Sequence, residues 1–363
     1  MPDIEFLSEQ GEGGDAARSR RLGRALVAVA VAALVAVAAV VVGTGGGGRP
    51  RAGRAVTVAP TPARSTAVGV PLALPESVAF GPQTVDLYAV GSQVYALTPT
   101  LVGVVDRDSD VATIRPAPLG LSERIGRGKL VLDLDHHALW VVDLGGTAIG
   151  AYDSTNLDSL ADAQSPYPIL GAAAMDDRLW FTTAHGLYST VAGPGSPRRV
   201  TGPRIRLGPV AADPTLHTVL AADYGSPSKV YVFGPTGEVL STSLQVGRPD
   251  SLATVAGTLW LAGASGAQGE LLRLDPVRLS VIGLSPVSGE LGKEARIVAT
   301  FGGELLVRGG LGGRALYCVD AHTGAFKQRW TVPPGAVALN ERGLLFADGE
   351  GIRQLNARDC LAG

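Results

Sequence analysis

Three aspartates and six arginines are the residues of this 363-residue chain whose types and spacing could do chemistry. The aspartates recur near one position of a sequence repeat, where carboxylates could transfer protons or hold a cation. The arginines flank the same repeated segments, and a guanidinium binds carboxylates and phosphates through paired hydrogen bonds. The candidate binding residues are Arg124, Arg127, Asp143, Arg204, Arg206, Asp223, Arg248, Arg308 and Asp348.

The five histidines form no metal-binding pattern in the sequence. His136 and His137 are adjacent, so a strand cannot place both rings on one face. The spacings H-x-H and HExxH do not occur, and neither does a G-x-S-x-G nucleophile elbow. The glycine-rich run 309–313 lacks the Lys-Ser/Thr end of a phosphate-binding loop and is typical of a hairpin turn. We therefore expect no catalytic residue, metal or cofactor.

A repeat that runs through most of the chain must position these side chains. A short hydrophobic pair after a polar turn occurs seven times, and its second members are 39 to 46 residues apart. A period near 40 residues with strand-like segments is typical of a β-propeller. Trp140, Trp180 and Trp260 share one repeat position and are predicted to pack between blades. The seven pairs are Val94-Tyr95, Leu139-Trp140, Leu179-Trp180, Thr218-Val219, Leu259-Trp260, Leu305-Leu306 and Leu344-Leu345.

We predict an all-β, seven-bladed β-propeller over residues 70–363. In blade two the predicted strands are 129–132, 139–142, 147–152 and a weak outer strand at 157–160. The last repeat stops after Ile352–Asn356 without a fourth strand, whereas Glu76–Phe80 is surplus before blade one. Glu76–Phe80 is therefore predicted to complete blade seven, which closes the ring and removes an exposed sheet edge.

Two blades also carry a family resemblance. Blade four, VLAADYGSPSKVYVFGPTGEVLSTSLQVGRPDSLA, resembles the YVTN-type propeller repeat of bacterial surface proteins, with its YGS-like turn, TG turn and V-G-x-x-P link. Blade six, ALYCVDAHTGAFKQRW, resembles the related quinoprotein-like repeat named for pyrroloquinoline quinone. The resemblance implies a propeller. It implies no particular activity, because such repeats occur in proteins of unrelated function.

The two faces of the predicted disc differ in charge. The loops from each fourth strand to the next first strand lie on the same face as the second-to-third loops. The fourth-to-first loops carry five of the candidate arginines together with Lys129, Lys293 and Arg296. The second-to-third loops carry Arg308 and the three candidate aspartates, so this face is mixed to basic. An anionic partner would find this face favourable. The alternative is ordinary solvated loops in which Asp serves tight turns. The acids of the opposite face are Asp106, Asp108, Asp110, Asp135, Asp176, Asp177, Asp213, Asp275 and Asp320.

An apolar segment precedes the repeats. Residues 25–42 read ALVAVAVAALVAVAAVVV, and eighteen helical residues span about 27 Å, close to the hydrocarbon core of a bilayer. We predict a single transmembrane helix there, a disordered cytoplasmic tail over residues 1–24 and a Gly/Pro-rich linker over 43–69. The alternatives are a buried core helix and a cleaved export signal, since Ser19-Arg20-Arg21-Leu22 resembles the start of a twin-arginine signal.

The positive-inside rule sets the expected orientation. Arg18, Arg20, Arg21 and Arg24 precede the apolar segment, and Arg49, Arg51 and Arg54 follow it beyond a run of four glycines. This bias favours a cytoplasmic N-terminus and an extracytoplasmic propeller.

The two cysteines, Cys318 and Cys360, are candidates for one disulfide if the domain lies in an oxidising compartment. The alternative is a buried Cys318 that packs as a small hydrophobe and a free Cys360.

A formal net charge of −2 argues against a nucleic-acid partner. We expect a membrane-anchored extracytoplasmic propeller that acts as a binding or scaffold module for an anionic glycan, a lipid headgroup or a protein. The alternative is a lactonase- or quinoprotein-like enzyme, which should gather acidic or metal-binding side chains from several blades at the mouth of the central channel. A third hypothesis is a sensor that passes extracellular binding to the cytoplasmic tail. The sequence indicates no oligomeric state.

Overall fold

The predicted cytoplasmic tail and transmembrane helix lie outside the residues that the structure describes. None of the helices in the described part of the chain has the length and apolar character that a bilayer crossing needs. The computed structural model describes residues 65–66, 70–71, 83–118, 121, 127–200, 205–225, 228–235, 238–246, 248–266, 268–348 and 350–362.

The strands of these residues form seven sheets, which confirms the predicted seven-bladed β-propeller. Two short strands, β1 (Ser65–Thr66) and β2 (Val70–Pro71), come first. The first five blades then each contain four antiparallel strands in chain order. Blades one to three are β3 (Asp86–Val90), β4 (Gln93–Leu97), β5 (Leu101–Asp106), β6 (Val111–Pro116); β7 (Gly128–Asp133), β8 (Ala138–Asp143), β9 (Ala148–Asp153), β10 (Ser159–Gln164); and β11 (Ile169–Met175), β12 (Arg178–Thr183), β13 (Gly186–Val191), β14 (Arg198–Arg199).

Blades four to seven continue in chain order, and blade seven has three strands of its own. Blades four and five are β15 (Leu207–Asp213), β16 (Thr218–Asp223), β17 (Ser228–Phe233), β18 (Val239–Val246); and β19 (Arg248–Val255), β20 (Thr258–Ser265), β21 (Gln268–Leu274), β22 (Val281–Leu284). Blades six and seven are β23 (Arg296–Phe301), β24 (Glu304–Gly309), β25 (Ala315–Asp320), β26 (Phe326–Thr331); and β27 (Val337–Asn340), β28 (Gly343–Asp348), β29 (Gly351–Leu355). The helices are Ser288–Leu291 and Arg358–Leu361, with 3-10 turns at Gly292–Glu294 and Leu311–Gly313.

The N-terminal strands complete the last two blades. Strand β2 pairs antiparallel with β29, with Val70 opposite Gln354, and supplies the fourth strand that blade seven lacks. An N-terminal strand therefore closes the ring, but that strand is Val70–Pro71, while the predicted Glu76–Phe80 lies outside the described residues. Strand β1 belongs to the predicted linker and pairs parallel with β26, as a fifth strand of blade six.

The core lies between neighbouring blades. Each of the seven hydrophobic pairs sits in the second strand of its blade, where both faces of the strand are covered and the residues are buried. Trp140, Trp180 and Trp260 are at most 2% exposed and pack in apolar clusters that each join two adjacent blades. The repeated tryptophan thus fills the space between blades, because large aromatic side chains bury the most apolar area per residue.

The C-terminal helix is fastened to blade six. Cys360 is joined to Cys318 of β25 by a disulfide with a Cα–Cα distance of 5.7 Å. The N–H of Cys360 also donates to Oε1 of Gln328 at 3.0 Å. The ammonium of Lys327, which pairs with Glu304 at 2.6 Å, donates to the carbonyls of Cys360 and Ala362. Blades six and seven are therefore linked by covalent and polar contacts in addition to their apolar packing.

Candidate binding site at the channel mouth

The first strands of the seven blades line a central cavity of about 460 Å³. Each first strand is the terminal strand of its sheet, so its inward edge has no strand partner. The fourth-to-first loops lead into these strands, and charged residues occupy their beginnings, at the mouth of the channel. The polar side chains that line the cavity near this mouth are those of Asp86, Lys129, Asp250, Ser251, Arg296 and Arg308.

Several of these polar side chains form hydrogen bonds between neighbouring blades. Oδ2 of Asp86 in blade one accepts the N–H of Leu130 in blade two at 2.7 Å. The ammonium of Lys129 donates to the carbonyl of Ala172 in blade three at 2.8 Å. Since strand edges carry unpaired N–H and C=O groups, these side chains satisfy groups that the inner strands leave open.

Arg308 forms hydrogen bonds of the same kind between blades six and seven. Its guanidinium donates to the carbonyls of Gly313 and Gly335, both at 2.9 Å, and to that of Pro333 at 3.3 Å. Burial, together with the smaller effect of the nearby charge of Arg296, lowers the pKa of Arg308 to about 10. Arg308, a predicted binding residue, therefore lines the channel with its donors already bonded to protein carbonyls.

Burial shifts the pKa values of the ionisable groups in the channel wall. Burial raises the pKa of Asp86 to about 6, although the N–H of Leu130 and the charge of Lys129 act in the opposite direction. Burial lowers the pKa of Lys129, while the carboxylate of Asp86 raises it. The wall thus holds one acid and one base of blades one and two close enough to influence each other.

The candidate site is the group formed by Arg206, Tyr224, Arg248, Asp250 and Arg296, which we call the mouth cluster. The guanidinium carbons of Arg206 and Arg248 lie 5.2 and 5.9 Å from the centre of the Tyr224 ring, within cation–π range. The ring covers Gly208 so closely that an added Cβ would overlap Cζ of Tyr224. The absence of a side chain at Gly208 therefore allows the tyrosine to lie against β15.

Asp250 reaches the channel because of a β-bulge. The pairing of β19 with β20 passes from Pro249 to Ser251 and skips Asp250, and a bulge changes the direction of the side chain at the extra residue. Burial raises the pKa of Asp250, against the charges of Arg248 and Arg296. Nε of Arg248 lies 3.9 Å from the carboxylate of Asp250, so the two residues form a loose ion pair.

Arg296 is the central cation of the mouth cluster. Its side chain is exposed, and within the described residues it has no hydrogen bond or ion pair. Its charge nevertheless acts on Asp86, Asp250 and Tyr224, whose pKa values are raised chiefly by burial and lowered by this guanidinium. A cation that faces an open cavity without a carboxylate partner is suited to bind an anion.

The predicted aspartates have a different role. Oδ1 of Asp223 accepts the N–H groups of Gly225 and Lys229 at 3.0 and 2.8 Å, and Oδ2 accepts the hydroxyl of Tyr231 at 3.1 Å. Oδ1 of Asp348 likewise accepts the N–H groups of Glu350 and Gly351. Asp143 is 3% exposed at the end of β8, packed against Gly146 of the following turn. The structure does not bring the three together: Asp223 and Asp348 each accept N–H groups of their own second-to-third turn, and Asp143 lies against its own.

The predicted arginines fall into three groups. Arg206 and Arg248 are in the mouth cluster, and Arg308 ties blades six and seven. The guanidinium of Arg127 lies against Gly145 in the neighbouring turn. Arg124 and Arg204 lie outside the described residues.

Sequence reasoning missed Asp86, Tyr224 and Asp250. Asp86 and Asp250 are single acids inside strand segments, and only the pairing pattern shows that they face the channel. The YGS-like turn contains Tyr224 and was visible in the sequence, but nothing in it indicates that two arginines flank the ring.

The described residues contain no group of three or more His, Cys, Asp or Glu side chains arranged to hold a metal ion. The channel mouth contributes two acids, Asp86 and Asp250, from different blades.

Comparison with known proteins identifies the fold and no family. No protein-family model matches the chain, and no curated protein matches it. The fold is that of known β-propellers. The β-propeller domain of Cps50 (Swd1) from Myceliophteria thermophila superposes with a TM-score of 0.58 at 11% identity, over 76% of this chain and 97% of that one. Hydrazine synthase of Kuenenia stuttgartiensis gives 0.57 at 11% identity, over 76% and 96%. The computationally designed protein Ika8 gives 0.52 at 10% identity, over 76% and 96%.

Proposed function

We propose that this chain is a binding module that takes the acidic group of a partner at the mouth of its propeller channel. The observation that carries the proposal is the mouth cluster, in which Arg206 and Arg296 have no carboxylate within ion-pair distance in the described part of the chain. An anion placed there gains charge-assisted hydrogen bonds without breaking existing ones. The shared chemistry of the partner is a carboxylate, sulfate or phosphate on a glycan, a lipid headgroup or a protein.

We further propose that the propeller is extracytoplasmic and tethered to the membrane by residues 25–42, with residues 43–69 as the spacer. The uncharged eighteen-residue segment and the arginines before it support the tether and its orientation. The disulfide between Cys318 and Cys360 supports an oxidising compartment. The likeness of blade four to a repeat of bacterial surface proteins supports the same location.

Binding of the full-length protein in detergent to immobilised acidic polymers tests the first proposal. The acidic arms are polygalacturonate, phosphatidylglycerol and polyglutamate, each coupled to beads, and beads that carry dextran or phosphatidylcholine are the counterparts without net charge. We expect one acidic arm to bind, and the double variant Arg206→Gln/Arg248→Gln to weaken it about tenfold.

The control is Arg278→Gln, which removes an exposed arginine from the opposite face. Equal loss in this control would show that net charge drives binding. Absence of binding in all three acidic arms would refute the acidic partner.

Protease added to intact cells tests the location. We expect digestion of residues 70–363 and protection of the N-terminal tail. Protection of the propeller would reverse the orientation, and a mature form that starts beyond residue 43 would identify residues 25–42 as a cleaved signal.

A further inference from the structure

We propose that the cavity below the mouth cluster binds a small hydroxylated organic monoanion, such as an acidic sugar residue, with its acidic group paired to Arg296. This inference rests on the proposed function, because it names the class of ligand that the same face would take. It differs in placing the ligand inside the channel instead of on the loops around it.

The size of the cavity fits a ligand of this class. Its volume of about 460 Å³ lies within the range of small-molecule sites, which is roughly 300 to 1,000 Å³. Its apolar lining includes Ala89, Ala253 and Ala338 of the first strands, whose small side chains pack in or against the apolar clusters between blades.

The wall of the cavity offers hydrogen-bonding groups along its depth. Each first strand turns an unpaired edge inward, so backbone N–H and C=O groups face the lumen. Side-chain ties use only some of these groups, such as the N–H of Leu130. Tyr88 and Thr300 also line the cavity, and their hydroxyls have no hydrogen-bond partner in the described chain. A purely apolar ligand would remove water from these groups without replacing its bonds, whereas hydroxyl groups would replace them.

The charges of the wall select one negative charge. Arg296 is the cation whose donors are unbonded, because Lys129 and Arg308 already donate to carbonyls. Asp86 and Asp250 lie beside it at the mouth, and a second anionic group bound there would meet their carboxylates. Like charges repel strongly at a wall of low polarity. The arrangement therefore favours a monoanion over a polyanion such as a diphosphate.

The test compares two probes that differ only in the acidic group. Saturation-transfer NMR with the full-length protein would measure p-nitrophenyl β-glucuronide against p-nitrophenyl β-glucoside. We expect the glucuronide to bind about tenfold more tightly, the usual scale for one charge-assisted pair. Equal affinity for the two glycosides would overturn the proposal.

Two variants locate the binding. Arg296→Gln should reduce the affinity for the glucuronide to that for the glucoside. Thr300→Trp should abolish binding of both, because Thr300 is exposed in the cavity and a tryptophan there fills it. The matched control is Arg314→Gln, an exposed arginine on the same face that does not line the cavity. Thermal melts that match the parent protein would show that each variant is folded.

Each outcome separates this inference from the proposed function. Glucuronide binding that survives Thr300→Trp would place the ligand outside the cavity and overturn the inference. Loss of glucuronide binding in Thr300→Trp with retained polymer binding would support both proposals. Polymer binding without any glucuronide binding would overturn only the inference.

Discussion

The mouth face and the opposite face carry the same kinds of charged residue but pair them differently. On the opposite face, Arg342 holds Asp108 at 2.7 Å and His217 lies 3.3 Å from Asp176. At the mouth, Arg296 has no ion pair among the described residues, and Arg248 approaches Asp250 only to 3.9 Å. Asp108 and Asp176 of the opposite face are thus matched by Arg342 and His217 of adjacent turns, while Arg206 and Arg296 of the mouth cluster remain available.

This contrast shows that a run of like charges is a poor indicator of a site. Asp275 and Asp320 of the opposite face accept backbone N–H groups of their own turns, as Asp223 does at the mouth. Aspartate serves the same turn chemistry on both faces. The difference that matters for binding is whether a charged group still lacks a partner.

The largest expected effect comes from Arg308, a mouth arginine that is fully bonded. Arg308→Met should lower the free energy of unfolding by about 3 kcal/mol, because three carbonyls lose their donor while the apolar stem is kept. Chemical denaturation measures this, with Arg314→Met as the control. A change below about 1 kcal/mol would mean that water replaces the lost donors and that Arg308 belongs with the free arginines.

The next effect separates turn aspartates from binding residues. Asp223→Ala should lower the free energy of unfolding by about 2 kcal/mol, since two N–H groups and the Tyr231 hydroxyl lose their acceptor. Binding of acidic polymers should not change. Asp135→Ala, an exposed turn aspartate of the opposite face, is the control and should change stability by less than about 0.5 kcal/mol. Altered binding at unchanged stability would assign Asp223 to the site.

A smaller effect of opposite sign is expected at Asp86. Burial raises its pKa to about 6, so the folded protein binds more protons than the unfolded chain between about pH 4 and about pH 6. The free energy of unfolding should therefore fall as pH rises through this window. Asp86→Asn keeps the acceptor for Leu130 and should be more stable than the parent at neutral pH by about 1 to 2 kcal/mol after allowance for solvent in the channel.

Denaturant melts across the pH range measure this difference, which should vanish at about pH 4. A less stable Asp86→Asn protein at neutral pH would show that the carboxylate gains more from Lys129 than it loses by burial.

The smallest effect concerns His136 on the opposite face. Its hydrogen bond to Asp133 raises its pKa, together with the charges of Asp133 and Asp177. The protonated ring therefore stabilises the fold below its unfolded pKa, and this contribution is lost as pH rises through the folded pKa. Because the ring is exposed, His136→Ala should flatten the fall in melting temperature above about pH 6.5, the ordinary pKa of histidine, only slightly. An unchanged slope would show that this ion pair is fully screened.

The fold was predictable because the information repeats. Seven second strands carry the same hydrophobic pair, and a period near 40 residues with turn residues between strands leaves few other architectures. Strand pairing was less predictable. Val70–Pro71 offers only two residues of pattern, so the choice of the closing strand depends on tertiary contacts and not on local sequence.

The site was predictable in part, for a related reason. Arg206 and Arg248 lie in loops that the repeat places on the mouth face, and their role follows from that position. Asp250 depends on a bulge in β19, and Tyr224 depends on the missing side chain of Gly208 in another strand. Such features arise between strands, where one-dimensional patterns carry little information.

The closure of the ring imposes an order on biosynthesis. Pro71 pairs with Arg353, a partner roughly 280 residues later in the chain. Cys360, which forms the disulfide with Cys318, is synthesised later still. At roughly 5 to 20 residues per second, β2 waits roughly 15 to 55 s after its own synthesis for its partner strand. Blades one to five are contiguous in the chain and can pair their strands during this interval. The strands of these blades can therefore pair first as an open arc, and the ring closes only after β29 has been synthesised.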